Sequence, residues 1–333
     1  WNTFWNLNQL WTLTNPDIAN KWVKSLLEMY KYGGWLPRGP AGFEYSGIME
    51  ASHEISLIVS AYQKGIRNFD VSQAYQAMIH QQTANGVKHE CSGMAGNHDL
   101  KTYIELGYIP YTGRVSNTLE YAYDDWCVAQ MAKSLGKTAD YNQFIKRADN
   151  FLSIFDPETR YMRPKYKDGR WLEKFDPVHT GGYTEGNSWQ YTFFAPHDVN
   201  KLVSLIGAEE FNKRLVFGFE QSAKLNFNAI GDRPELVYIN HGNQPNMQAA
   251  YLFNYSGKPW LTQHWAREIM NKFYGSDPYN GWPGDEDEGQ MGAWYAMSAM
   301  GLFQTDGGAS EKPIYEIGSP IFKKVTIHLD QDY

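Results

Sequence analysis

A chain of 333 residues exceeds the roughly 100 to 200 residues of a typical single core, although a helical toroid can exceed that as one domain. Charged residues make up 20 % and hydrophobic ones 42 %, the balance of a soluble globular protein. A net charge of −7 without any Lys/Arg stripe excludes a nucleic-acid groove, and the apolar runs are too short and broken to span a membrane.

In chain order the pattern is helical. Asn15, Pro16 and Asp17 cap an apolar-periodic run over 18–30 that Gly33 and Gly34 stop. Further helices are predicted over 47–64, ending at Gly65, and over 71–82. An amphipathic helix is expected over 118–135, stopped by Gly136, and another from Lys137 to Phe155. Later ones are expected at 197–205, 209–223, 247–253, 259–273 and 289–301. Only 321–329 alternates like a strand, and it reads as the start of a β-element that a lone strand could not complete. About ten helices joined by Gly/Pro/aromatic-rich loops suggest an all-α fold, an α/α barrel with its site on long loops at one end. The expected division is a barrel over 1–310 and the beginning of a β segment over 311–333.

Aromatic residues, 12 Trp, 23 Tyr and 17 Phe, suit both a ring-rich core and a ligand with hydroxyls and one apolar face. Cys91 and Cys127 match no metal or disulfide framework. Trp1 is not an initiator methionine, so the sequence is expected to begin inside a longer protein.

Three loops concentrate polar and acidic residues. In 181–191, Glu185 lies between glycines and aromatics just before a short helix. A carboxyl partly desolvated there would stay protonated, as a general acid for a glycosidic oxygen must; helix capping by Thr184 or Asn187 accounts for the same residues. In 281–291, Asp285, Glu286, Asp287 and Glu288 precede an apolar helix beside Trp282. Asp285 and Asp287, two apart, can converge on one water or cation, while an acidic helix cap is the simpler role. In 238–248, amides around His241, Asn243 and Gln244 could ligate a hard cation or bond sugar hydroxyls. The metalloprotease, P-loop, dinucleotide and nucleophile-elbow motifs are absent.

Residues 116–127, 155–164, 184–191, 196–199 and 284–294 resemble glycoside hydrolase family 92, in one register from Trp1 almost to the end. The resemblance implies the (α/α)6 catalytic barrel of a family whose members also carry an N-terminal β-sandwich, here absent. It implies a calcium-dependent, inverting exo-α-mannosidase acting on glycans and located in the periplasm or secreted. Its acid falls on Glu185 and its base on Asp287, with Asp285 beside it; inversion leaves roughly 6.5 to 9.5 Å between the two carboxyls. Asn243 and Asp287 are the implied calcium ligands. Trp1, Asn2, His53, Trp189, Gln190, His241, Gln244 and Trp282 are the implied substrate contacts. Two positions depart from the family pattern: Asn2 and Gln244 stand where it usually has carboxylates. A different terminal sugar or aglycone is therefore an alternative. A non-catalytic glycan binder has no need of both Glu185 and Asp287, and a polysaccharide lyase would need a Tyr or His base with a cation cluster that the sequence lacks.

Overall fold

The computed structural model describes residues 1–333 except 42–43, 48, 89–92, 179, 230–232, 234–236, 283 and 330–333. The described helices are α1 (Leu7–Thr14), α2 (Pro16–Gly33), α3 (Glu54–Gln63), α4 (Val71–Thr83), α5 (Leu100–Leu106), α6 (Asn117–Ser134), α7 (Thr138–Ala148), α8 (Ser188–Tyr191), α9 (Val199–Ile206), α10 (Ala208–Ser222), α11 (Pro259–Lys272) and α12 (Gln290–Met300), and all but α1 and α5 meet an expected stretch. Local chemistry sets their ends. Pro16 opens α2, where no amide donor is needed, and Gly34 closes it in the left-handed region at φ 79°. The Asp70 carboxylate accepts from the Gln73 amide to start α4, and Asp198 does the same for α9 through Lys201.

Several expectations shift. The α3 helix begins at Glu54, and the described residues among 47–53 are not helical. The 247–253 stretch folds as a 3-10 helix, Ala249–Asn254. Short helices over α1 and α5 went unforeseen. The stretch 321–329 forms no strand; alternation alone does not make one without a partner backbone to complete a ladder. Strands elsewhere are two-residue pairs, including β1 (Leu302–Phe303) with β2 (Glu316–Ile317), whose pairing spans the boundary expected at residue 310.

Helix α6 differs most from its expected amphipathic character, since it is buried on nearly all sides. Its polar residues have partners inside the protein. Glu120 and Asp124 grip the two ring nitrogens of His53, at 2.5 and 2.7 Å. Asp125 accepts from Arg147 Nε and from the Tyr103 hydroxyl, both at 2.9 Å. Around α6 pack α3, α4 and α7, and α1 meets α12 to close the ring. The closure is hydrogen-bonded: Gln290 on α12 accepts from the Leu7 amide at 3.0 Å and donates to the Asn2 carbonyl. One large apolar core, with Trp5 and Trp294 fully buried, holds these helices together. Cys127 lies within it, whereas Cys91 falls outside the described residues.

Candidate active site

Loops at one end of the ring form a cleft of about 760 Å³. Trp1, Tyr183, Glu185, Asn243, Gln244, Asp285, Asp287 and Glu288 line it. Three loops pack closely at two glycines. A Cβ on Gly242 would lie 2.0 Å from Asn228 Oδ1, and one on Gly284 would lie 3.2 Å from the Gly242 carbonyl.

The Glu185 loop is held on several sides. Asn187 and Gln190 form a reciprocal capping box at the start of α8. The Tyr191 hydroxyl donates to the Thr184 carbonyl at 2.8 Å, the Thr184 amide donates to Ser116 Oγ at 3.2 Å, and Asn243 Nδ2 donates to the Glu185 carbonyl at 3.0 Å. Glu185 has φ 49° and Asp287 φ 55°, so both carboxylates sit on left-handed backbone, which non-glycine residues rarely adopt. The structure leaves Glu185 exposed at the cleft wall rather than partly desolvated as expected. The crowding falls on Asp287 instead. Burial pushes its carboxyl up to about 7, helped by Asp285, Glu185, Glu288 and Glu286. Its Oδ2 is buried without a hydrogen-bond partner.

The acidic run divides its labour. Glu286 turns away to accept from the Gly289 and Gly292 amides, capping α12 as an acidic helix start should. Asp285, Asp287 and Glu288 face the cleft. Gln244 is buried, and its backbone amide donates to Asn243 Oδ1 at 2.9 Å.

Other expected contacts lie elsewhere. Trp189 is buried among Tyr161, Phe217 and Tyr238. Gln190 closes the capping box and donates to the Val237 carbonyl. His241 packs against Trp294 and bonds the Tyr274 hydroxyl at 2.9 Å. Asn2, at φ 56°, is fully buried, with both side-chain polar atoms unpartnered. Trp282 is exposed on the loop leading to the acidic run. His53 lines a neighbouring cavity of about 440 Å³ that shares Trp1 and Glu288 with the cleft. Sequence reading missed Asn228, Asn240, Met49, Thr180 and Tyr183 as cleft walls. Tyr183 and Asn240 stood inside the flagged loops, while Asn228 and Met49 carried no signal.

The model of the glycosyl hydrolase family 92 catalytic domain matches residues 1–333. The chain belongs to that family. Among solved structures, a family 92 inverting mannosidase from Bacteroides thetaiotaomicron is 35 % identical, with a TM-score of 0.86 over 100 % of this chain and 46 % of that one. A family 92 α-mannosidase from the same organism is also 35 % identical, with a TM-score of 0.82 over 96 % of this chain and 42 % of that one. A curated relative from Arthroderma benhamiae, called an uncharacterized secreted glycosidase, is 28 % identical over 96 % of this chain and 43 % of its own length. The chain thus spans less than half the length of these relatives. Family 92 membership agrees with the helical ring, and no described helix is long and apolar enough to cross a membrane.

Proposed function

We propose that this protein is a calcium-dependent, inverting exo-glycosidase that removes terminal α-linked mannose from glycans. The observation that carries the reading is one cleft bringing Glu185, Asp285 and Asp287 together from loops a hundred residues apart in sequence. Glu185 donates a proton to the departing glycosidic oxygen, and its exposure at the wall leaves it reachable by a leaving group. Asp287, with Asp285 beside it, takes a proton from the water that attacks the opposite face of the ring. The mannosidase names of the Bacteroides relatives support the sugar.

The donor chemistry fits a hard dication. The orphaned Oδ2 of Asp287 and the repulsion around it call for positive charge, and Asn243 offers a neutral amide oxygen. Among the described residues no three His, Cys, Asp or Glu side chains converge as a ready metal cluster. Water and sugar hydroxyls would then complete the shell, and the large, flexible coordination of calcium can take up such neutral oxygens. When bound, calcium binds and polarises sugar hydroxyls and lowers the cost of crowding the carboxylates.

We assign residues 1–310 to the catalytic barrel and expect the rest of the polypeptide, with a β-sandwich, to complete the cleft. The name of the fungal relative supports a secreted or periplasmic location. A second reading, the same machinery on a different terminal sugar, rests on Asn2 and Gln244.

Three measurements on the full-length enzyme test this function. In Glu185→Gln, turnover of α-linked mannobiose is expected to fall by about 10³-fold, within the usual reach of acid catalysis, while mannose binding stays within about threefold. Wild-type hydrolysis followed by NMR should release the β-anomer first; release of the α-anomer would exclude inversion. Chelation should abolish activity, and Ca²⁺ but not Mg²⁺ should restore it. Full activity in the chelated, metal-free enzyme would remove the cation from the scheme.

A further inference from the structure

We propose that Glu50 is a positioning residue for the acid, holding the Glu185 peptide through Thr184 with Arg114 as its counter-ion. The inference rests on reading Glu185 as the proton donor. A glutamate on left-handed backbone relaxes unless its surroundings fix it. Three of the bonds that hold this loop, from Tyr191, to Ser116 and from Asn243, are between neutral groups. The fourth is different in kind. Thr184 Oγ1 donates to Glu50 Oε1 at 3.1 Å, so this contact alone of the four ends on a carboxylate.

Glu50 is 1 % exposed. A carboxylate buried that deeply is costly unless paired, and the Arg114 guanidinium bonds the same oxygen, Oε1. Arg114 lies just ahead of α6, and its carbonyl accepts from the Asn117 amide. Ser116, two residues on, receives the Thr184 amide and donates its own amide to the Gly182 carbonyl. The start of α6, Glu50 and the acid loop therefore form one hydrogen-bonded unit. Glu50 reaches no reacting atom; it acts through Thr184 on where the Glu185 carboxyl stands. Misplacement by about 1 Å can cost about 100-fold in rate.

A leaving group that needs no proton separates positioning from folding. Glu50→Gln and Thr184→Val would be made in the full-length enzyme, beside Glu185→Gln. Each would be assayed on an α-linked mannobiose and on a dinitrophenyl α-mannoside. The expected result is a loss of kcat on the disaccharide of about 10- to 100-fold at unchanged KM, with the dinitrophenyl substrate within about threefold of wild type. Combining either change with Glu185→Gln should add nothing further, because the group being positioned is gone. Thr184→Val keeps the volume and removes only the hydroxyl, so it carries the test if Glu50→Gln fails to fold. Equal losses on both substrates, or no loss on either, would overturn the positioning role while leaving Glu185 as acid. Absence of leaving-group dependence in Glu185→Gln itself would overturn both.

Discussion

Gln244 shares the cleft with Asp285, Asp287 and Glu288, and it is an amide where the family pattern usually has a carboxylate. Its neutrality keeps a further negative charge out of a wall that already pushes Asp287 up to about 7. Gln244→Glu would add like-charge repulsion worth about 1 to 2 kcal/mol at the spacing of neighbouring side chains. The melting temperature without calcium is expected to drop by a few degrees, and the rise on adding calcium to grow. A variant as stable as wild type in chelator would show that the acidic wall is solvated. At this scale the sequence was legible where chemistry is dense: the 181–191 and 284–288 loops both face the cleft. Trp189 and Gln190, which the family resemblance implies as substrate contacts, are buried because helix periodicity turns them toward the core and the capping box.

Helix α6 carries the lesson at the scale of elements. Its length and end were readable, because Gly136 stops it and its residues favour helix. Its burial was not, since polar residues on a helix face suggest solvent until their partners are known. Those partners come from far away in sequence, His53 for Glu120 and Asp124, and Arg147 for Asp125. Burial alone would push the His53 imidazole down, but Asp124 and Glu120 outweigh it and raise the ring to about 9. A histidine raised from its ordinary value near 6.5 stabilises the fold fully below pH 6.5 and loses that contribution as pH rises through about 9. Lys64, lowered to about 7 by burial, has the opposite slope, so the difference between two proteins is the clean readout. The stability gap between wild type and His53→Gln should narrow from pH 6.5 to 9, by up to about 1.4 kcal/mol per unit. Urea unfolding at four pH values checks this; a constant gap would mean that His53 is neutral in the folded protein.

At the scale of the whole molecule, helix count and the Gly/Pro/aromatic-rich loops between helices pointed to a barrel, and the ring is what forms. What composition could not reveal is how the ring closes. The first and last helices meet through Gln290, which serves both Leu7 and Asn2, and no local pattern links residues nearly 290 apart. The same closure sets Trp1 against the acidic run, so one wall of the cleft is a product of contacts between residues nearly 290 apart. The strand expected over 321–329 failed for a related reason: pairing is decided by what lies alongside, and alternation speaks only for one side.

The left-handed backbone at Glu185 and Asp287 has an evolutionary corollary. Each position asks for the conformation that glycine adopts freely, and each is occupied by a residue that pays about 1 kcal/mol to be there. Glu185→Gly and Asp287→Gly are therefore expected to unfold at higher urea concentration than wild type in the absence of calcium, while turning nothing over. Unchanged or lower midpoints would mean that these side chains support the fold. If the midpoints rise, a lineage released from hydrolysis would drift toward glycine at these two positions, and a carboxylate kept there would itself mark a working enzyme.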